Sequence, residues 1–234
     1  MTHRWMLALA LTGLSGCMGH FADSTRVREP FQQSVAVTGT PTIQLDNIAG
    51  KVRISGWSKP TVEIGGEKTG PDQEAVRNIN VDVHTNGSTV YVSTHYGDAS
   101  HGIHFSSGGV NYTIHAPVGS NLKITNVAGT VNVDDIDGSV AADTQAGTID
   151  ASLPRFDGKH PVTLNVTTGS ISLRIPKNSN AMVQAKSTVG SFTSDFGINS
   201  SRQNVGVVAN GTIGTGGAPL KLTTTTGSIA LKAQ

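Results

Sequence analysis

Few residues in this 234-residue chain could do chemistry, and most of them fall in two short runs. The first, His95-Tyr96-Gly97-Asp98-Ala99-Ser100-His101-Gly102-Ile103-His104, holds three histidines and an aspartate. Neutral imidazoles and a carboxylate are the usual ligands of zinc or copper. The spacing matches no recognised zinc pattern, however, and no HExxH occurs. His95, Asp98, His101 and His104 are therefore weak candidate ligands, because solvated histidines in a polar loop are the commoner arrangement. His84 and His115 belong to alternating stretches that turn them outward, and they join such a site only if their strands are neighbours. No cofactor is expected.

The second run is Asp134-Asp135-Ile136-Asp137-Gly138, followed by Asp143 and Asp150. Stacked carboxylates repel unless a cation such as calcium intervenes, but the GGxGxD pattern of calcium repeats is missing. Asp134, Asp135 and Asp137 are also the only carboxylates that could serve a glycosidase or polysaccharide lyase. One cluster on a flat face does not define two carboxylates flanking a bond. There is no GxSxG elbow and no phosphate loop, so the expected set of catalytic residues is empty and the chain reads as non-enzymatic.

Cys17, the only cysteine, has different chemistry. It ends MTHRWMLALALTGLSGC, in which Arg4 provides a positive start, Trp5 to Leu11 a short apolar stretch, and small residues follow, as in a secretory signal. Leu14-Ser15-Gly16-Cys17 resembles a bacterial lipobox, which implies a diacylglyceryl group on the Cys17 thiol and cleavage before it. Lipidation explains an unpaired cysteine in an exported chain. Two or three acyl chains anchor stably where one binds only marginally. Met18 follows in place of the aspartate associated with inner-membrane retention in enteric bacteria, so an outer-membrane destination is favoured if the host has two membranes. The expected organisation is a signal peptide over residues 1–16, the lipidated cysteine and a flexible tether containing Pro30 over 17–33, and a repeat domain over 34–234.

Loss of residues 1–16 removes Arg4 and no acid, so 17 basic and 16 acidic residues become 16 of each. A neutral chain with 5% aromatic residues has no basic, aromatic-laced patch, which excludes nucleic acid as a partner. The lipid makes the membrane one partner, and an envelope glycan or protein is the other expectation.

The elements that must position these residues are strands. Val52-Arg53-Ile54, Val131-Asn132-Val133, Leu164-Asn165-Val166 and Leu220-Lys221-Leu222 alternate apolar and polar residues, which is period two. One helical turn or two is expected near Gln73–Asn78, with a cap at Pro71-Asp72. Glycine, a small polar residue and an apolar residue recur at Gly50, Gly129, Gly138, Gly147, Gly169, Gly190, Gly211 and Gly227. The steps are nine residues from Gly129 to Gly138 and on to Gly147, then 22, 21 and 21 to Gly211. Repeated corner chemistry at such spacing predicts an all-β, single-stranded solenoid; an antiparallel β-sandwich is the alternative. Asp98–Gly109 and Leu153–Pro161 interrupt the pattern and are the expected sites of binding loops. Trp57 is expected to cap the exposed first coil.

Ile48-Ala49-Gly50-Lys51-Val52-Arg53-Ile54-Ser55-Gly56-Trp57, followed by Thr61-Val62-Glu63-Ile64, resembles the opening unit of a bacterial β-strand-repeat family of putative adhesins (domain of unknown function 4097). The later GTV, GSI and GTI corners resemble its repeats, so the likeness runs from about Ser34 to Gln234. It implies a right-handed β-helix-like solenoid on an exported or membrane-attached protein and brings no catalytic residues. The functional expectation is a lipid-anchored envelope protein that presents a rigid surface for adhesion or binding. The alternatives are a structural or stress-responsive envelope accessory and a β-helix enzyme acting on polysaccharides. The binding residues are not identified at this level.

Overall fold

A computed structural model of the protein describes residues 26–97 and 108–234. Within them the fold is all-β apart from one short helix. In chain order the elements are β1 (Val27–Ala36), β2 (Thr42–Ala49), β3 (Val52–Trp57), β4 (Thr61–Gly70), α1 (Gln73–Arg77), β5 (Ile79–Asn86), β6 (Thr89–Tyr96) and β7 (Gly109–Pro117). They continue as β8 (Asn121–Asp134), β9 (Val140–Ser152), β10 (Val162–Ile175), β11 (Ala181–Ser194), β12 (Ser200–Gln203), β13 (Gly206–Ile213) and β14 (Pro219–Ala233). The helix forms where expected, and the Asp72 carboxylate caps it by accepting the Ala75 N–H at 2.8 Å.

Five long strands make the centre, in the spatial order β8, β9, β10, β14, β11, all parallel. Each is bent at one glycine, and these glycines lie in register: Gly129, Gly147, Gly169, Gly227 and Gly190. Gly50, between β2 and β3, continues the line. All six have φ between 125° and 148°, which L side chains rarely adopt. From Gly129 on, a Cβ at each would overlap the carbonyl of the adjacent glycine in the stack. The bend also inverts the alternation. In β9 the inward residues are Val140, Ala142 and Thr144 before the corner and Ile149 and Ala151 after it. Both arms of each strand thus face one core, to which a buried Val, Leu or Ile contributes ~1.5–3 kcal/mol.

Not every glycine of the sequence pattern is a corner. Gly211 lies in β13, which runs antiparallel to β11 and sets Gly211 opposite Val183. Gly138 precedes β9, where Asn121 Oδ1 accepts from both the N–H and the hydroxyl of Ser139 at 2.9 and 2.7 Å. β14, last in the chain, inserts between β10 and β11, so the order of the stack is not the order of the sequence. Constant spacing counts residues but does not identify hydrogen-bonded neighbours.

The ends are mixed. β7 pairs parallel with β3, then β4 and β1 follow antiparallel and extend the arm after the corner. β6 pairs parallel with β2, and antiparallel β5 extends the arm before the corner. At the far end β13 and β12 add antiparallel strands beyond the first half of β11. The expected tether is thereby shortened. Val27–Gln33 are strand, paired with Gly70 through Ile64, and Phe31 meets the Tyr112 ring edge-on at 5.7 Å. Pro30 is tolerated because β1 is an edge strand.

Two other expectations change. Leu153–Pro161 is irregular, but Leu153 and Phe156 are buried and plug the core where the chain passes from β9 to β10. Trp57 does not cap the end of the stack, where β6 pairs with β2 and β7 with β3; it lies on the outer surface against His115, the rings stacked at 5.2 Å.

Candidate functional site

Of the expected metal ligands only His95 lies among the described residues; Asp98, His101, His104 and the lipidation residue Cys17 lie outside them. His95 is exposed on β6, its Nε2 2.9 Å from Ser93 Oγ. His84 on β5 stacks on Tyr91 at 4.9 Å and sits 3.1 Å from Asp82. His115 on β7 is 2.8 Å from Ser55 Oγ. β5 and β7 extend different arms and do not pair, so His84 and His115 do not meet. Among the described residues no three metal-ligating side chains cluster.

The acidic run is divided by the fold. Asp134 ends β8, where burial and then the nearby Asp150 push its carboxyl above the usual range. Asp135 occupies a turn at φ 55° and accepts Arg155 Nε at 2.8 Å. Asp143 and Asp150 share β9, but the corner at Gly147 separates them onto the outer faces of different arms. Asp150 takes both guanidinium nitrogens of Arg174, at 2.9 and 3.3 Å.

The two outer faces differ. On the arm after the corner, register lines up Glu63, His115, Ser55, Asp134, Ser152 and Arg174. Most of these groups bond among themselves or to near neighbours. Ser55 meets His115, Arg174 meets Asp150, Glu63 accepts Gln32 Nε2 at 2.6 Å, and Ser170 and Ser228 lie 3.2 Å apart. Trp57 donates to Thr61 O at 2.8 Å while Lys59 Nζ lies 4.6 Å from its ring centre.

The arm before the corner carries an open row: Thr125, Asp143, Asn165, Thr223 and Lys186, one from each central strand. A second row, two residues earlier, is Lys123, Ala141, Thr163, Lys221 and Gln184. Two shallow depressions of about 420 and 380 Å³ lie here and share Asn165 and Thr223, forming one trough across the strands. Its internal side-chain bond runs from Asn165 Nδ2 to Asp143 Oδ1 at 2.7 Å. None of the ion pairs among the described residues uses Lys123, Lys186 or Lys221.

Sequence reasoning missed a buried polar ladder three residues before each corner: Asn47, Asn126, Thr144, Val166, Thr224 and Ser187 in stack order. At its start Asn47 Nδ2 donates to Asn126 Oδ1 at 3.0 Å, Thr94 Oγ1 donates to Asn47 Oδ1 at 3.0 Å, and Tyr112 OH lies 2.7 Å from Thr94 Oγ1. Burial pushes the Tyr112 phenol up to about 12. The signal was available, since Asn47 has the parity of Ile43 and Leu45 and Asn126 that of Leu122 and Ile124.

Bent parallel strands on a glycine spine, with polar outer faces, define a class of all-β repeat protein. The chain matches the family model Toastrack DUF4097 over residues 35–232. It belongs to that family. Its fold is similar to that of a putative cell adhesion protein from Clostridium sporogenes ATCC 15579, with a TM-score of 0.65 at 14% identity, covering 88% of this chain and all of that one. A putative adhesin from Bacteroides fragilis NCTC 9343 matches at 13% identity over 88% of this chain and 97% of that one, with a TM-score of only 0.26. A putative lipid binding protein from Parabacteroides distasonis ATCC 8503 matches at 11% identity over the same shares, with a TM-score of 0.21. At those scores the last two carry no weight. A comparison with curated proteins found no match.

Proposed function

We propose that the protein is a lipid-anchored, non-enzymatic envelope protein that uses its bent-strand stack as a rigid binding surface, in the manner of an adhesin or envelope binding module. The observation that carries this reading is the open polar face before the corner, where hydroxyl, amide and lysine side chains line up across five strands with few bonds among themselves. Stacked ladders hold such rows without the entropic cost of ordering loops. In the same reading the central strands are coils of a right-handed, β-helix-like solenoid rather than layers of a sandwich. The name of the Clostridium protein, a putative cell adhesion protein, points the same way. Asp135 and Asp150 are held by Arg155 and Arg174, and Asp143 lies on the other arm bonded to Asn165, which weighs against a carboxylate-driven enzyme.

Anchoring rests on Cys17 in its LSGC context. Replacing it by alanine is expected to move the protein from the membrane to the soluble fraction; retention of Cys17→Ala in the membrane would overturn the anchor. Binding is tested by sedimentation of the unlipidated Cys17→Ala protein with envelope polymers freed of lipid by detergent, and a protein that stays in the supernatant would remove the binding-module reading.

A further inference from the structure

The trough before the corner has a definite chemistry. A ligand lying across the strands meets a new side chain every ~4.8 Å, the interstrand spacing. Along the main row it meets hydroxyl, carboxylate, amide, hydroxyl and ammonium groups in turn: Thr125, Asp143, Asn165, Thr223 and Lys186. The interval is close to the rise of an extended β-linked pyranose chain, so each successive sugar unit can meet the side chain of the next strand.

The larger depression lies at the positive end. Lys186 and Lys221 line it together with the amides of Asn165, Gln184 and Asn210, and no carboxylate does. Neither lysine has an ion-pair partner among the described residues. An anionic substituent is therefore the complement of this end, while Asp143, at the other depression, can accept from sugar hydroxyls.

Other occupants fit less well. Small ligands bury most of their surface in enclosed pockets, whereas this trough is shallow and open. Single-stranded nucleic acid relies on aromatic platforms, and no aromatic residue lines either depression. A protein partner would need apolar or aromatic anchors at the centre of the interface, and a membrane surface would need apolar side chains to insert. The centre of this trough is Asn165 and Thr223.

We propose that this trough binds an extended acidic polysaccharide running across the strands, with its carboxylate or phosphate groups at Lys186 and Lys221. The proposal rests on the binding-module reading and names its ligand class and site.

The test titrates the full chain by calorimetry with a β-1,4-linked mannuronate hexamer and with cellohexaose, a neutral hexamer of the same linkage. The mannuronate hexamer is expected to bind at least about tenfold more tightly. Replacing both lysines (Lys186→Gln with Lys221→Gln) should remove about that tenfold advantage and leave the thermal midpoint unchanged, because both side chains are solvent-exposed. No binding of the mannuronate hexamer, equal affinity for cellohexaose, or wild-type affinity in the double variant would each overturn the proposal. Sedimentation of the same double variant, in the Cys17→Ala background and with detergent-extracted envelope polymers, separates the two levels. Binding to these polymers at the level of Cys17→Ala alone refutes the trough and leaves the binding module standing; a Cys17→Ala protein that does not sediment at all removes both.

Discussion

The polar ladder before the corners is built in two ways within one molecule. At the end covered by β6 and β7, Thr94, Asn47, Asn126 and Tyr112 are all at most 4% exposed and form one connected chain of hydrogen bonds. In the middle of the stack, Val166 stands between Thr144 and Thr224, and both threonine hydroxyls are buried without a partner. In a parallel stack, the natural partner of an inward polar group is its equivalent on the adjacent strand. Val166 offers neither threonine a partner. On their other sides Asn126 bonds to Asn47 and the Gly50 carbonyl while Ser187 donates to the Gly227 carbonyl, which leaves both hydroxyls orphaned. A connected buried network rigidifies and specifies its surroundings, whereas an unpaired buried group costs about 1–3 kcal/mol.

The glycine spine is common to both versions, and breaking it should have the largest effect. Gly169 has φ 138°, and a Cβ there would overlap the Gly147 carbonyl. Gly169→Ala combines backbone strain with a clash that no flexible side chain can relieve. It is expected to cost more than about 4 kcal/mol, read as a collapse of the urea midpoint or a failure to fold. A loss below 1 kcal/mol would mean the corner relaxes easily, and the two ladders would then not share a rigid frame.

At the connected end, Asn47→Leu removes the hub. It strips Asn126 Oδ1 and the Val110 carbonyl of a donor and Thr94 of an acceptor, all in the interior. The expected loss is about 2–4 kcal/mol by urea denaturation. A near-neutral result would show that the bonds are geometric accompaniments of packing, and the contrast with the middle of the stack would vanish.

Tyr112 offers a pH handle on the same end. Its phenol is pushed up to about 12 from an ordinary value near 10. At a pH between these values the unfolded chain has released the proton and the folded chain has kept it. Stability from this group is thus complete below about pH 10 and is lost as pH rises toward 12, by roughly 2–3 kcal/mol. Thermal melts across that window should fall more steeply for the wild type than for Tyr112→Phe. Parallel curves would place the alkaline loss elsewhere.

How much of this was legible in the sequence depends on the kind of information. The recurring Gly-Ser-Ile phrases at Gly169 and Gly227 announced two of the corners, since φ of 138° and 145° suits glycine, and the inward Ile171 and Leu173 follow from period two. The insertion of β14 between β10 and β11 was not legible, because adjacency is decided by long-range pairing. With it went the row through Asn165, Thr223 and Lys186, although the outward hydroxyls and amides were visible one strand at a time. β1 was hidden by Pro30 and its charges. Its half-buried Val27, Phe31 and Val35 recur every four residues, a weak trace of a strand with one half-buried face. Asn47 and Asn126 were passed over because polar residues are read as outward until burial shows otherwise.

The smallest effect sharpens the comparison most. Thr144→Val and Thr224→Val replace a hydroxyl by a methyl of nearly the same size at positions where the hydroxyl has no partner. Val is ordinarily a poor substitute for a buried, bonded Thr because a hydrogen bond is lost. Here nothing is lost but the desolvation penalty, and Val166 already shows that the site accepts the shape. Each change is expected to raise stability by about 0.5–1 kcal/mol, read as a higher urea midpoint at unchanged slope. The two sites flank Val166 without touching through a polar partner, so the gains should add. A loss in either variant would mean that a bound water closes the circuit in the middle of the stack, and the two versions of the ladder would then be one design with different bridges.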